Sequence, residues 1–121
     1  MEAKKILVID DEKPILDMLK QGLEMNPEFD VKISEDVEEY EELIFKDTFD
    51  VILLDHRMPV NLGSNLAKKI REEEGPNQDT IIIFMSGNIK EVKSEAGSLS
   101  KAFFLQKPLV LKELFELIAS C

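Results

Sequence analysis

Four short runs of apolar, mostly β-branched or aromatic residues punctuate the chain at positions 6–9, 51–54, 81–85 and 103–105. Runs so short and so uniformly apolar have no polar face to turn toward water, so each reads as a buried strand. A fifth segment, 29–33, alternates apolar and polar side chains, as a strand at a sheet edge does. The stretches between them have helical period. Ile15, Met18, Leu19 and Leu23 share one face between about 14 and 25, with Pro14 in the first turn, where its missing N–H is not needed. Asp36 and Glu39 have capping spacing ahead of Val37, Tyr40, Leu43 and Ile44; Leu62, Leu66 and Ile70 make a third row; Leu111, Leu114, Phe115 and Ile118 make the last, over 109–119. Segment 88–96 is the weakest helix. Asn88 and Glu91 can cap it and Gly97 can stop it, but only Ile89, Val92 and Ala96 can face a core, so it should be loosely held. Strand alternating with helix five times predicts right-handed crossovers and a parallel, doubly wound α/β sheet with helices on both faces.

A chain of 121 residues is one domain's worth, and 44% hydrophobic residues can fill its core without disulfides or a structural metal. The formal charge of −10 repels phosphates and anionic lipid, which disfavours direct binding to nucleic acid or membrane. Cys121 is the single cysteine, so no intrachain disulfide can form. The apolar stretch at 6–9 is too short for a signal-peptide core or a membrane span, and a cytoplasmic protein is expected. No repeat or interdomain linker is visible, so residues 1–121 read as a single domain.

In open α/β sheets ligands bind beyond the carboxyl ends of the strands, so the residue after each apolar run carries the most weight. Those residues are Asp10 and Asp11, then Asp55, then Ser86, then Gln106, Lys107 and Pro108. Three carboxylates, a hydroxyl and an ammonium thus converge on one edge. Two carboxylates ~4 Å apart repel by about 4 kcal/mol at an effective dielectric near 20, more than one lysine offsets for all three. Either a proton is shared or a divalent cation binds. Oxygen donors without a histidine or thiolate favour a hard ion such as Mg²⁺. Such an ion beside a carboxylate, with Ser86 and Lys107 in reach, suits phosphoryl transfer with Asp55 as the acceptor.

At this point the chain resembles the receiver domain of two-component response regulators over essentially its whole length. The resemblance lies in Asp10-Asp11-Glu12, in Asp55-His-Arg-Met-Pro59 continuing to Gly63, in Ser86-Gly87, and in Phe104-Leu-Gln-Lys107-Pro108. Each motif alone is weak; together, in order and at strand ends, they are highly specific. The resemblance implies a flavodoxin-like sheet of strand order 2-1-3-4-5. It implies that Asp55 takes a phosphoryl group from a phosphohistidine of a sensor histidine kinase or histidine phosphotransfer protein. Mg²⁺ would be held by Asp11, Asp55 and the backbone carbonyl of Arg57, with Asp10 acting through water. Ser86 and Phe104 would be the switch residues and Lys107 the partner of the phosphoryl group. The face of the fourth helix, fifth strand and fifth helix would repack to bind a downstream protein effector or a second copy of the chain. A cis peptide before Pro108 is also implied. Departures from the family pattern are Leu62 in place of the usual Asp, and Ser100-Lys101 in place of the usual Gly-Ala. The resemblance also implies that Arg57 and Asn88 occupy the positions whose side chains flank the path of attacking water in this family.

Simpler roles compete at each position. One aspartate of the Asp10-Asp11 pair would suffice as a helix cap, Asp55 as a turn acid, Ser86 as turn chemistry and Lys107 as a solvated lysine. His56, with no second histidine or cysteine near it in sequence, reads as a loop residue and neither a ligand nor a base. Of the adjacent Phe103 and Phe104, one should be core. Two other function classes remain open. An aspartyl-phosphate phosphatase wants an acid where Arg57 stands, and a receiver-like scaffold would bind its partner without phosphorylation. A flavin site is disfavoured because the first loop is acidic where a phosphate cradle is rich in glycine and hydroxyls. The chain reads either as a stand-alone regulator or as a receiver cut from a longer protein.

Overall fold

In the computed structural model, which describes residues 3–56 and 63–120, all five expected strands pair in parallel in the order β2-β1-β3-β4-β5. They are β1 (Lys4–Ile9), β2 (Phe29–Ser34), β3 (Val51–Asp55), β4 (Ile81–Ser86) and β5 (Ala102–Gln106). Between and after them run α1 (Lys13–Leu23), α2 (Val37–Lys46), α3 (Gly63–Glu72), α4 (Ile89–Ala96) and α5 (Leu111–Ser120). The strand order is the one implied by the resemblance, and the fold is doubly wound and flavodoxin-like.

The period of two along each strand divides the core in half. Leu7, Ile9, Ile52, Leu54, Ile82 and Phe84 point to one face, where they meet Tyr40 and Ile44 of α2, Leu66 and Ile70 of α3, and Val92 and Ala96 of α4. Ile6, Val8, Val51, Leu53, Ile83 and Met85 point to the other, against Leu16, Leu19 and Leu23 of α1 and Leu114 and Ile118 of α5. Because both faces are covered, the three central strands contain no alternation of polar residues.

Some expectations shift. In α1 Leu16 is buried where Met18 was expected; Met18 is 42% exposed and borders an apolar groove with Ile15, Pro108 and Leu109. The fifth strand was read as buried, but it is the second sheet edge and contains no fully buried residue. Phe103 lies on its more open side, while Phe104 packs on the core. Asp36 caps α2 by accepting from the Glu38 N–H at 2.9 Å. Leu62 lies outside the described residues. Lys101, at the departure from Gly-Ala, adopts a left-handed φ of 53°, and its carbonyl still accepts from Ile82 N–H at 3.0 Å. The Lys107–Pro108 peptide is cis.

A buried polar knot holds the end of the sheet opposite the acidic edge. The Asn77 side chain accepts from Phe49 N–H at 2.8 Å and Thr80 Oγ1 at 3.0 Å, and donates to the carbonyls of Ile44 and Asp47. Nearby, the Arg71 guanidinium donates to the carbonyls of Gln78, Thr80 and Ser100. Sequence patterning gave no sign of either hub, because their partners are mostly backbone groups, which carry no residue-type signal. Asn77→Ala strands several of these groups away from water and should cost about 3 kcal/mol of stability. Urea denaturation reads this directly; an unchanged midpoint would show that the knot contributes nothing.

Candidate functional site

Each strand of the acidic edge hands over one polar side chain as its apolar run ends. Asp10 follows β1 and is fully buried, and its carboxylate does two jobs. Oδ1 accepts the Glu12 N–H at 2.9 Å, ahead of α1, while Oδ2 accepts from Lys107 Nζ at 3.2 Å. Glu12, the N-cap of α1, uses no side-chain cap of its own, so the capping role weighed for the acid pair is met in part by Asp10. Asp11 is exposed. Asp55 ends β3, buried, with Oδ1 3.0 Å from Lys107 Nζ.

Carboxylate oxygens of Asp10, Asp11 and Asp55 all lie within 4.8 Å of one another. Together with Glu12, Ser86, Gly87, Asn88 and Lys107, Asp11 and Asp55 line a cleft of about 280 Å³. The donors are all hard oxygens and Asp11 lies on the open side, so the cluster fits a hard divalent ion of the Mg²⁺ type. Arg57, whose backbone carbonyl was the fourth expected ligand, lies outside the described residues.

Electrostatics at the cluster follow from burial. Desolvation first, and then the Asp10 charge, push the Asp55 carboxyl up to about 7, against the hydrogen bond and charge of Lys107. Burial pulls Lys107 the other way, toward neutrality. The hydrogen bond that Lys107 donates to Asp55 and the negative charges of Asp10 and Asp55 outweigh it, so the ammonium titrates above its ordinary value. One cation among three acids leaves a deficit of positive charge.

Ser86 ends β4. Its hydroxyl accepts from Asn88 N–H at 2.9 Å and lies 3.2 Å from the Asn88 carbonyl. Asn88 turns its own side chain to α4, accepting from Glu91 N–H at 3.1 Å, so that amide is engaged in capping. Phe104 stacks on Phe84 at 5.6 Å between ring centroids, with Lys93 Nζ of α4 5.7 Å over its outer face. Gly63 opens α3 hard against the end of β3: its N–H donates to the His56 carbonyl at 2.7 Å, and a Cβ there would sit 2.5 Å from the Asp55 carbonyl oxygen. Glycine is therefore required for this approach.

Sequence reasoning missed the surroundings of His56. It does follow β3 in a turn, but its ring is fully buried, edge-on to Phe84 at 6.4 Å, and faces Glu91 and Glu95 of α4. The two glutamates are a helical turn apart, but nothing near them in sequence pointed to a residue 35 positions upstream as their neighbour.

An acid whose folded pKa exceeds its unfolded value binds more protons folded than unfolded, so stability falls as pH rises through the interval. For Asp55 that interval runs from about 4, the ordinary aspartate value, to about 7. With divalent ions chelated, the wild-type urea midpoint should decline across this window, and Asp55→Asn should flatten the decline. Parallel profiles for the two proteins would show that another group titrates.

The same fold is found in known proteins. A family model of the response regulator receiver domain matches residues 6–119. The chain is similar to the chemotaxis response regulator CheY4 of Vibrio cholerae, with 26% identity over 98% of each chain and a TM-score of 0.85. A two-component response regulator from Clostridium difficile shares 28% identity over 97% of this chain and 93% of its own, with a TM-score of 0.85. The receiver domain of the sensor histidine kinase PA1611 from Pseudomonas aeruginosa, a structure with a magnesium ion coordinated in its active-site cleft, has the same fold. It is 21% identical over 98% of this chain and 96% of its own, with a TM-score of 0.80. Matched by the family model almost from end to end, this chain belongs to the response regulator receiver domain family.

Proposed function

We propose that the chain is a phosphoacceptor of a two-component relay, with Asp55 taking a phosphoryl group from the phosphohistidine of a sensor kinase or histidine phosphotransfer protein. The observation that carries this is the convergence of Lys107 Nζ on Asp55 Oδ1 at 3.0 Å, at an open cleft lined also by Asp11 and backed by the buried Asp10. A carboxylate oxygen of Asp55 attacks phosphorus, the P–N bond of the donor breaks, its electron pair returns to the imidazole, and an acyl phosphate remains. Lys107, already charged and aimed at Asp55, takes one phosphoryl oxygen. Ser86, whose hydroxyl is turned toward Asn88 in this state, takes another by rotating about its side-chain bond.

Asp11, Asp55 and the Arg57 carbonyl would hold Mg²⁺, with Asp10 one water removed. When bound, that ion supplies positive charge that favours the ionised form of Asp55 and offsets the charge of the incoming group. The magnesium ion in the Pseudomonas aeruginosa receiver supports this choice by analogy of fold.

The output is the face of α4, β5 and α5. Phe104 is half-buried between Phe84 and Lys93, and α4 buries only Val92 and Ala96 completely, so few contacts resist a second packing there. The recipient is a downstream protein effector or a second copy of the chain. A net charge of −10 supports a role away from nucleic acid and anionic lipid, and the location that goes with this reading is the cytoplasm.

Incubation with acetyl phosphate and Mg²⁺, followed by intact-mass measurement, should show one phosphoryl group on the wild type and none on Asp55→Asn, with labelling lost in chelator. Labelling that persists in the mutant would refute the acceptor. A wild type that neither binds Mg²⁺ nor takes label would leave a scaffold that acts without phosphorylation.

A further inference from the structure

A second cluster of ligating groups lies behind the acidic edge, between the end of β3, the start of α3 and the inner face of α4. His56 Nε2 stands 3.1 Å from Glu95 Oε2 and 3.5 Å from Glu91 Oε1, and all three ligand atoms lie within 4.8 Å of one another. The imidazole is fully buried, and neither ring nitrogen has a partner in hydrogen-bonding geometry among the described residues. Nitrogen and oxygen are thus close without being directed at each other, as two atoms are when both point at a third. A tetrahedral ion with bonds of about 2.0–2.1 Å sets its ligands roughly 3.4 Å apart, and the two measured separations bracket that value.

The site is also built to hold its shape. The His56 backbone is fixed on both sides, its N–H donating to the Met85 carbonyl at 3.1 Å and its carbonyl accepting from Gly63 at 2.7 Å. Glu91 and Glu95 sit one turn apart on the same helix face. The Ser64 hydroxyl of α3 donates to Glu95 Oε2 at 3.0 Å and orients that carboxylate. Side-chain exposures of 25% for Glu91 and 36% for Glu95 leave an entrance from solvent, while the histidine end stays dry.

We propose that His56, Glu91 and Glu95 form a second metal site, selective for a divalent transition ion of the zinc class, which clamps α4 to the end of β3. One imidazole with two carboxylates suits Zn²⁺ or Co²⁺ over Mg²⁺, which is reluctant to exchange water for nitrogen. Three protein ligands leave a fourth position for water. The clamp reaches the residue next to Asp55, so occupancy of this site would bias the same helix that borders Phe104. It reverses the expectation that His56 is a plain loop residue, and it stands whether or not Asp55 is a phosphoacceptor. The competing account is an imidazolium merely ion-paired with the two glutamates.

The test uses the full chain carrying Asp11→Asn, Asp55→Asn and Cys121→Ser, which removes the acidic cluster and the terminal thiol as alternative ligands. Titration with Co²⁺ should give one equivalent of binding with the strong visible bands of a tetrahedral ion, and Zn²⁺ should displace it while excess Mg²⁺ does not. Adding Glu91→Gln and Glu95→Gln should weaken binding by roughly 100-fold, and Ser64→Ala by about 10-fold. The glutamine variants keep side-chain size at half-exposed positions, so the result does not depend on whether His56→Phe folds. Binding that survives the double glutamine change, displacement by Mg²⁺, or no binding beyond a buffer control would each overturn the proposal and leave the ion pair.

Discussion

Everything at the acidic edge depends on one ammonium held between two carboxylates. Lys107 reaches Asp10 at 3.2 Å and Asp55 at 3.0 Å, joining residues 97 and 52 positions away in the chain. Asp10 is fully buried and Asp55 nearly so; without Lys107 both would be uncompensated charges in a poorly solvated place. Compensation is nonetheless incomplete, because a third acid, Asp11, shares the site. The raised pKa of Asp55 follows first from its burial and then from the charge of Asp10, and an edge short of positive charge is one that favours a cation.

Local rules are broken where function is expected and obeyed elsewhere. The central strands are buried on both faces and their polar ends are paired, so the platform is rigid. Around it the packing thins toward one side. β5 is a half-exposed edge, and α4 buries two residues fully where α1 buries four. The proposed acceptor, Asp55, therefore ends a strand buried along its whole length, next to elements with little apolar burial to lose. On the proposed function, such a gradient is what would let α4 and β5 answer charge added at Asp55 at small cost in stability.

Much of this was legible in the residues themselves. Five strands, five helices, the edge position of β2, the cap and stop of α4 and the gathering of Asp10, Asp11, Asp55, Ser86 and Lys107 at one rim all follow from periodicity and from the rule that places sites at strand carboxyl ends. The half-exposure of β5 was not legible, since an apolar triplet looks the same in a central strand and at an edge. Nor was the choice of Leu16 over Met18 for the inner face of α1, which is settled by where α5 and the Pro108 loop lie. The Asn77 and Arg71 hubs escaped because their partners are mostly backbone groups, which leave no residue pattern, and the His56 pocket because Glu91 and Glu95 lie on a helix far along the chain.

What the chain alone determined was the alternation of elements, hence the doubly wound class, and the identity of the groups that end each strand, because those depend on local periodicity and on the polarity of single residues. What only the tertiary structure decided was distance. Whether Lys107 reaches Asp55 or turns to solvent, and whether His56 meets Glu91 and Glu95 or packs on apolar neighbours, depends on the twist and register of strands separated by tens of residues. Electrostatic interaction varies inversely with separation and with local dielectric, and both are properties of the folded whole.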